Sequence, residues 1–364
     1  MRIAYPDLCF DEVLDLKKAI NSGWLTKGPY VEEFENMAKD YIGVKYAIAV
    51  NSGTAALHLA LISLNISDGD EVIVPDFTFV ATANAVEYTR AKPVFADIDL
   101  KTFNIDTEDI KRKITNRTKA IMPVHGLGQS ADMDEIRKIA RERNLFIIED
   151  AACAMGAKYK GEFCGTMGDL GCFSFHPRKI ITTAEGGMII TNNEKHAKAI
   201  ERLRDHGSIK KDGRVYFYNC GYNYRLSELH SILGIAQMKK LKSIIARRQE
   251  AAKKLNTLLS GIDFLRIPET RKDCEHIFQS YVVLLDSGSD RDKFMTYLKS
   301  KNIETVGGNH ALHSQPFYKN KYGYKPGEVP NSFEAGERSA ALPLYPQMTD
   351  EEINFLAQTV RGAL

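Results

Sequence analysis

The sequence predicts an α/β fold in which a mostly parallel central sheet is flanked by helices on both faces. Between about residues 45 and 205, short runs of Val, Ile, Ala and Phe alternate with segments of helical periodicity. Continuous apolar runs are typical of strands that are buried on both faces. Because parallel neighbours are joined by helical crossovers, the alternation indicates helices on both sides of the sheet.

The individual segments show this alternation in chain order. "YAIAV" predicts a strand ahead of the helix "GTAALHLALISL", and "EVIVP" predicts a strand ahead of the helix "TFVATANAVEYT". "PVFADI" and "AIMPVHGLG" predict two further strands, and the helix "DMDEIRKIARERN" precedes the strand "LFIIED". Two more strands, "GCFSF" and "MIITN", enclose the loop that carries Lys179.

Beyond Asn223 the pattern changes. "LSELHSILGIAQMKKLKSIIARRQEAAKKLNTLL" predicts one long amphipathic helix, because its apolar positions recur three and four residues apart. "FQSYVVLL", "RDKFMTYLKSKN" and "TDEEINFLAQTVRGAL" predict a strand and two helices with a less regular alternation. We therefore predict a large α/β domain over residues 1–239, which includes an N-terminal arm, and a smaller C-terminal α+β domain over residues 240–364.

Composition and charge exclude several classes of protein. The chain has 364 residues and a net charge of +2 without long charge runs, so we expect no nucleic-acid partner and no membrane surface. The start "MRIAYPDLCFDEV" does not resemble a signal peptide, and no apolar run approaches the ~20 residues of a membrane span. Six cysteines without a CxxC pair are typical of reduced thiols. These features predict a soluble cytoplasmic protein.

Two loops at predicted strand ends carry groups for an anion and a cation. Ligand sites of open α/β sheets lie at the carboxyl ends of the strands. After "YAIAV", Asn51, Ser52, Gly53 and Thr54 open a helix, and such a helix N-terminus can bind phosphate, although it can also be a simple N-cap. Asp150 ends the buried strand "LFIIED", where it can hold a cationic nitrogen or cap the next turn.

A third loop carries Lys179 beyond the strand "GCFSF". A partly desolvated lysine with a depressed pKa can form a Schiff base with an aldehyde. The alternative is an ordinary surface lysine, but Ser174, His176 and Thr183 lie within ten residues, and a glycine pair follows. This composition favours the Schiff base.

The fourth loop, "PDFTFVAT", offers an aromatic ring at Phe77 or Phe79 that either packs in the core or stacks on a flat ligand. Each of the four loops is a weak signal alone. Together and in this order, a phosphate cradle, a stacking aromatic, a buried aspartate and a Schiff-base lysine predict pyridoxal 5'-phosphate as the cofactor. The aspartate would keep the pyridine nitrogen protonated so that the ring acts as an electron sink.

Several longer motifs resemble the DegT/DnrJ/EryC1/StrS family of sugar aminotransferases. They include "GWLTKGPYVEEFENMAKDYIG", "AVNSGTAALHLAL", "IIEDAACAMGAKYKG", "GDLGCFSFHPRKIITTAEGGMI" and "GYNYRLSELHSILG", and the resemblance covers nearly the whole chain. It implies a fold type I PLP-transferase with a smaller C-terminal domain. It also implies transfer of an amino group from L-glutamate to a nucleotide-linked ketosugar, in amino-sugar and surface polysaccharide biosynthesis.

The resemblance implies a role for each matching residue. Lys179 would form the Schiff base and shuttle the proton, and Asp150 would pair with the pyridine nitrogen. The implied phosphate and ring contacts are those of Gly53, Thr54, Ser174 and Phe79. Asn223 would reach the phosphate of the neighbouring subunit's cofactor, so the resemblance implies a homodimer with shared active sites. The implied substrate contacts are those of Thr26, His176, Arg225 and His313, and no metal is implied.

One position departs from the family pattern. Many relatives carry Gln or His three residues after the aspartate, near the phenolic oxygen of the cofactor, whereas this chain has Cys153. A thiol is a weaker hydrogen-bond donor, so whether this residue contacts the cofactor stays open. Some relatives replace the lysine by histidine and dehydrate the sugar, so the presence of Lys179 favours transamination.

Three alternative functions remain at this point. The sequence "HALH", with His310 and His313, is compatible with a metal hydrolase, but neither HExxH nor a paired acidic ligand accompanies it. A regulatory protein that binds the cofactor without catalysis is a second alternative. The third is transamination at C3 of the ketosugar, whereas His176, in place of the Tyr common among C3 enzymes, favours C4.

Overall fold

The computed structural model describes residues 1–8 and 12–363, so Cys9, one of the six cysteines predicted to be reduced, lies outside the described residues. The other five cysteines are free thiols. The described part of the chain forms these helices: α1 (Glu12–Ser22), α2 (Pro29–Ile42), α3 (Gly53–Ser63), α4 (Ala81–Tyr88), α5 (Thr107–Lys113), α6 (Met133–Arg143), α7 (Glu194–Leu203), α8 (Glu228–Leu259), α9 (Arg291–Ser300), α10 (Pro316–Tyr322), α11 (Pro330–Arg338) and α12 (Asp350–Arg361).

The strands are short and most follow a helix or a tight turn. They are β1 (Tyr46–Val50), β2 (Glu71–Pro75), β3 (Phe77–Thr78), β4 (Lys92–Ala96), β5 (Thr118–Ile121), β6 (Phe146–Asp150), β7 (Lys158–Tyr159), β8 (Glu162–Phe163), β9 (Leu170–Ser174), β10 (Gly187–Thr191), β11 (Ser208–Lys211), β12 (Arg214–Phe217), β13 (Leu265–Arg266), β14 (Cys274–Glu275), β15 (Tyr281–Leu285), β16 (Val306–Gly307), β17 (His310–Ala311) and β18 (Ser339–Leu342). Among the described residues, no helix combines the length and the apolar character that crossing a bilayer requires.

Seven strands form the central sheet in the order β1-β10-β9-β6-β5-β2-β4. Strand β10 runs antiparallel to its neighbours β1 and β9, and the other four neighbouring pairs are parallel. The prediction of a mostly parallel sheet is therefore confirmed, and the predicted segments between residues 45 and 205 form the expected helices and strands.

Both faces of the sheet are covered by apolar side chains. In β1, Ala47 and Ala49 point into a core that α2, α6 and the first half of α8 complete. Ile48 and Val50 point into a second core, which contains side chains of α3, α4 and α7. Because successive side chains of a strand alternate between the faces, each strand must be apolar throughout its length. This explains the continuous apolar runs in the sequence.

The C-terminal part of the chain forms a smaller sheet. Its four antiparallel strands lie in the order β13-β15-β18-β16, and they share a core with α9, α12 and the end of α8. The predicted boundary between residues 239 and 240 falls inside α8. Met238, Leu241 and Ile244 still lie in the core of the large sheet, whereas Leu255 and Leu259 lie in the core of the small sheet. One continuous helix thus contributes to both cores, and the predicted division into two domains stays a prediction.

Two buried aspartates join the small domain to the carboxyl edge of the large sheet. Asp76 follows β2 and accepts hydrogen bonds from the backbone N–H and the Nδ1 of His313, both at 2.6 Å. Asp97 follows β4 and accepts from the backbone N–H groups of Asn331 and Ser332, at 3.1 and 2.7 Å, at the start of α11. Strand β17 also pairs with β3, directly beside Asp76.

Glu228 joins the N-termini of two helices in the large domain. It is the first residue of α8, and its side chain is 1% exposed. Its carboxylate accepts from the backbone N–H groups of Gly28, Tyr30 and Val31, at 2.9, 3.0 and 2.9 Å, where α2 begins. The first N–H groups of a helix have no partner within the helix, so this buried carboxylate satisfies them and fixes α2 against α8.

We expect Glu228→Gln to lower the free energy of unfolding by about 1–3 kcal/mol, because an amide nitrogen replaces an oxygen that must accept a buried hydrogen bond. Urea unfolding followed by circular dichroism measures this loss. Glu250→Gln is the matched control, since Glu250 lies exposed on the same helix. It should change the stability by less than about 0.5 kcal/mol. Equal stabilities for the two variants would contradict the role of Glu228.

Candidate active site

The predicted functional loops meet at the carboxyl edge of the central sheet. The loops after β1, β6 and β9 follow strands that lie close together, with β10 between β1 and β9 and with β6 next to β9. The loop after β2 reaches the same place through α4, whose Thr82 donates to the carboxylate of Asp150. The edge that the parallel topology predicts for a ligand is therefore the edge at which the polar side chains gather.

The start of α3 is the place where the sequence predicts a phosphate cradle. Ser52 caps the helix by accepting from the N–H of Ala55 at 3.1 Å, which leaves the N–H groups of Gly53 and Thr54 outside the helical ladder. A methyl group on Gly53 would lie 2.8 Å from Cβ of Ser174, and one on Gly187 would lie 2.3 Å from the carbonyl oxygen of Ser52. Glycine at both positions thus lets Ser174 and two backbone amides converge. The N-cap is therefore present, and its geometry leaves room for the phosphate cradle, which stays a prediction.

Asp150 ends β6 with a buried carboxylate, 3% exposed. Oδ2 accepts from the hydroxyl of Thr82 at 2.8 Å, and Oδ1 accepts from the N–H of Ala152 at 3.1 Å. The Thr82 hydroxyl lies 3.1 Å from that of Thr78, so a short chain of hydroxyls orients the carboxylate. Burial raises the pKa of Asp150, and the hydrogen bonds from Thr82 and Ala152 only partly offset this effect. A positive charge placed beside the carboxylate would therefore favour its ionised form.

Lys179 lies in the turn that follows β9. Its backbone N–H donates to the carbonyl of His176 at 2.8 Å, and the N–H of Arg178 donates to Nδ1 of His176 at 3.2 Å. Nζ of Lys179 lies 3.1 Å from Sγ of Cys153. His176 thus shapes the turn, and the amine reaches across from the β9 loop to the β6 loop.

The predicted depressed pKa of Lys179 is wrong for the site without cofactor. Burial lowers this pKa, but the Cys153 sulfur, through its charge and its hydrogen bond, and the Asp150 carboxylate raise it by more. The sequence indicated a desolvated lysine. It did not show that two acidic side chains would surround the amine.

The two phenylalanines of "PDFTFVAT" have different environments. Phe77 is 3% exposed and packs in the core, whereas Phe79 is 59% exposed. The carbonyl of Phe79 accepts from the N–H of Thr82 at 3.2 Å, so Phe79 belongs to the turn that leads into α4, whose Thr82 donates to Asp150. Of the two rings, Phe79 is the one that remains available for stacking, as the family resemblance implies.

Glu149 lies next to Asp150 but serves the scaffold. It is fully buried, and its carboxylate accepts from the backbone N–H groups of Gly165, Met167 and Gly168 at 2.7, 2.6 and 2.5 Å. It also lies 2.7 Å from Nε2 of His125. These contacts fix the turn that leads into β9, which carries Ser174 at its end.

The predicted partner-subunit and substrate residues lie farther out, except for His176 in the lysine turn. Asn223 is exposed, and its carbonyl accepts from Nδ2 of Asn51 at 3.3 Å beside the cradle of its own chain. Arg225 forms an ion pair with Asp205 at 2.5 Å. Thr26 is exposed and forms a β-bridge with Ser227. Their roles toward ligands stay predictions.

The burial of His313 does not fit the predicted contact with substrate. The side chain is 1% exposed, Nδ1 bonds to Asp76, and Nε2 lies 3.0 Å from the hydroxyl of Ser314. Its contacts place it in the junction between the domains. His310, the other histidine of "HALH", is exposed on β17. Within the described residues, no group of three or more His, Cys, Asp or Glu side chains is arranged to hold a metal ion.

Two features of the site escaped the sequence analysis. The first is the bond of Thr82 to Asp150. The spacing of Thr78 and Thr82, four residues apart at a helix start, would have been the signal for it. The second is the contact of Cys153 with Lys179, which joins loops of two different strands and has no local signal in the sequence.

The residues at this edge fit pyridoxal phosphate. Two unused helix N–H groups and a serine hydroxyl suit the phosphate, and Phe79 suits the flat ring. A buried carboxylate, which forms no ion pair with any described residue, suits a protonated ring nitrogen. The amine of Lys179 suits an aldehyde. Each chemical group of the cofactor therefore has a complementary group in the chain.

Comparisons with known proteins agree with this site. The sequence model of the DegT/DnrJ/EryC1/StrS aminotransferase family matches residues 7–361. Spore coat polysaccharide biosynthesis protein SpsC of Bacillus subtilis is 39% identical, over 96% of this chain and 94% of its own. A GDP-perosamine synthase of Escherichia coli O157:H7 is 37% identical, over 98% of this chain and 96% of its own.

A solved structure extends the agreement to the fold and the cofactor. DesV of S. venezuelae, solved in complex with a ketimine intermediate, superposes with a TM-score of 0.92 at 31% identity. The superposition covers 97% of this chain and 94% of DesV. The chain therefore belongs to the DegT/DnrJ/EryC1/StrS aminotransferase family, and it is a sugar aminotransferase that depends on pyridoxal phosphate.

Proposed function

We propose that the enzyme moves an amino group from L-glutamate to the 4-keto position of a nucleotide-linked 4-keto-6-deoxy sugar. The observation that carries the proposal is the joint position of the Lys179 amine and the buried Asp150 carboxylate at one sheet edge. The choice of sugar is supported by the similarity to GDP-perosamine synthases, which reaches 41% identity in one of them. His176 in the lysine turn supports C4 over C3.

Asp150 has an electrostatic role in this proposal. When bound, pyridoxal phosphate supplies an electron sink for the negative charge that develops on the substrate carbon. Asp150 supports that chemistry by holding a proton on the ring nitrogen. Thr82 and Ala152 donate to different oxygens of the carboxylate, so both oxygens are held by hydrogen bonds from the protein itself. Preorganised groups of this kind need no rearrangement during the reaction.

Lys179 has two roles in the proposal. Its amine binds the cofactor between turnovers and moves a proton at the substrate carbon during them. The turn stabilised by His176 sets the direction of the side chain, and the amine is drawn into the site by Cys153 and Asp150. The amine lies in a largely desolvated position, which would limit its contact with bulk water.

We also propose a homodimer with shared active sites, in which Asn223 binds the phosphate of the partner's cofactor. Asn223 is exposed, as this role requires. The nearby hairpin of β11 and β12 and the residue that follows it expose an unusual set of apolar side chains: Ile209, Val215, Tyr216, Phe217 and Tyr218. An exposed apolar group of this size is typical of a protein interface. The five free thiols among the described residues support a reducing cytoplasmic location.

Separate half-reactions test the proposed substrates. We expect L-glutamate to convert the cofactor spectrum from the aldehyde form to the amino form, and a nucleotide-linked 4-keto-6-deoxy sugar to reverse the change. A small panel of GDP-, UDP- and dTDP-linked ketosugars, with mass spectrometry and NMR of the products, identifies the acceptor. Conversion by an amine other than glutamate would show that the proposed donor is wrong. A product with its amine at C3 would show that the proposed position is wrong.

A conservative substitution tests the role of Asp150. We expect Asp150→Asn to lower turnover by roughly 100-fold, which corresponds to about 3 kcal/mol in the activation free energy, because a neutral amide would not hold the proton on the ring nitrogen and the ring would be a weaker electron sink. Cofactor occupancy, measured by absorbance after dialysis, should fall much less because the phosphate cradle is intact. Asp263→Asn, at an exposed position, is the control and should leave both quantities unchanged. Equal losses of turnover and occupancy would indicate that Asp150 has only a structural role.

Mixed dimers test whether the sites are shared. Lys179→Ala and Asn223→Ala chains, each inactive or nearly so alone, are dissociated, remixed and assayed. If Asn223 serves the partner's site, one site of each mixed dimer carries both defects and the other carries neither. Because about half of randomly formed dimers are mixed, activity should recover to roughly a quarter of wild type. Mixed dimers without recovery would show that Asn223 does not act across the interface.

A further inference from the structure

Cys153 makes a specific contact with the lysine of the active site. Its Sγ lies 3.1 Å from Nζ of Lys179, well within hydrogen-bonding distance for sulfur. Of the five cysteines that the structure describes, Cys164, Cys172 and Cys274 are buried and Cys220 is exposed, whereas Cys153 is half-buried at the edge of the site. Its position is fixed by Asp150, three residues earlier, whose carboxylate accepts from the N–H of Ala152.

The contact joins two loops that carry the reacting groups. Lys179 is anchored at its backbone by the turn after β9, and Cys153 belongs to the loop after β6. Strands β6 and β9 are parallel neighbours, with Asp150 paired to Cys172. A lysine side chain has a flexible four-carbon stem, so a fixed backbone alone does not fix the position of its amine. A partner at its far end is therefore needed to keep the amine in one place.

We propose that Cys153 is a positioning residue, which holds the free amine of Lys179 beside Asp150 whenever that amine is not bonded to the cofactor. The inference rests on the role of Lys179 stated above. Lys179 would therefore need a defined position in its free state as well as in its bonded state. The sulfur at 3.1 Å gives the free ammonium an acceptor, which would keep the amine directed into the site and not toward solvent.

The electrostatics of the site support this position. Within the described residues, the charged and titratable groups that act on the Lys179 ammonium are Cys153 and Asp150. Burial lowers the pKa of Lys179, but Cys153 raises it through charge and through the hydrogen bond, and Asp150 raises it further. Without the sulfur, only Asp150 would oppose the lowering of the Lys179 pKa by burial. The pKa of the amine must then fall, and the amine becomes reactive at lower pH, since only the unprotonated form attacks a carbonyl.

The test measures the reactivity of Lys179 without any turnover. Full-length protein is freed of cofactor and treated with pyridoxal, which lacks the phosphate and so does not depend on the cradle. Cyanoborohydride fixes the product, and peptide mass spectrometry measures labelling at residue 179 as a function of pH. We expect the midpoint for Cys153→Ala to lie at lower pH than that of wild type, with several-fold faster labelling near neutral pH.

Two further variants make the result decisive. Cys153→Ser keeps a hydrogen-bond acceptor but lacks the ionisable sulfur. Its labelling midpoint should therefore lie between those of wild type and Cys153→Ala. If the alanine variant unfolds, the serine variant alone decides the test. Cys220→Ser alters an exposed cysteine and should leave the profile unchanged. A midpoint at or above that of wild type in both Cys153 variants would overturn the proposal. Because no sugar or amino donor is present, an error in the proposed substrates would not affect this outcome.

Discussion

The active site depends on one buried carboxylate that forms no ion pair with any residue the structure describes. Strand β6 carries the carboxylate of Asp150 into the interior, where its hydrogen-bond donors, Thr82 and Ala152, are neutral. Burial raises the pKa of this carboxylate, and a positive charge bound beside it would favour the anion. In the proposed function, the protonated ring nitrogen of the cofactor would supply that charge.

Three buried parallel strands have an aspartate at their carboxyl end or directly after it. These three aspartates have different hydrogen-bond partners. Asp76 and Asp97 follow β2 and β4, which lie together at one end of the sheet, where the small domain docks. Burial also raises the pKa of Asp76, but His313 offsets part of that cost. Asp150 is the last residue of β6, in the middle of the sheet, and its hydrogen bonds come from Thr82 and Ala152, not from the described residues beyond α8. Position in the sheet thus separates the two aspartates that bond to the C-terminal part of the chain from the one proposed to act on the cofactor.

This distinction explains which parts of the site could be predicted from sequence. Apolar runs and helical periodicity depend on local spacing, so they located the strands, the helices and the loops with Gly53, Asp150 and Lys179. The order of strands in the sheet depends on long-range packing. The sequence therefore did not reveal that His313 would pair with Asp76, or that Cys153 would face Lys179 and reverse the expected shift in its pKa.

Glu149 and Asp150, the last two residues of β6, show how a scaffold residue fixes the geometry of the site. Because side chains alternate along a strand, Glu149 points to the face of Ile147 and Asp150 to the opposite face. Glu149 fixes the turn of residues 165–168, and this turn sets the register of β9 against β6. A slip of one residue in β9 would move Ser174 to the other face, away from Gly53, and would carry the turn of Lys179 away from Cys153. The geometry of the reacting groups therefore depends on a buried glutamate that contacts neither cofactor nor substrate in the proposed mechanism.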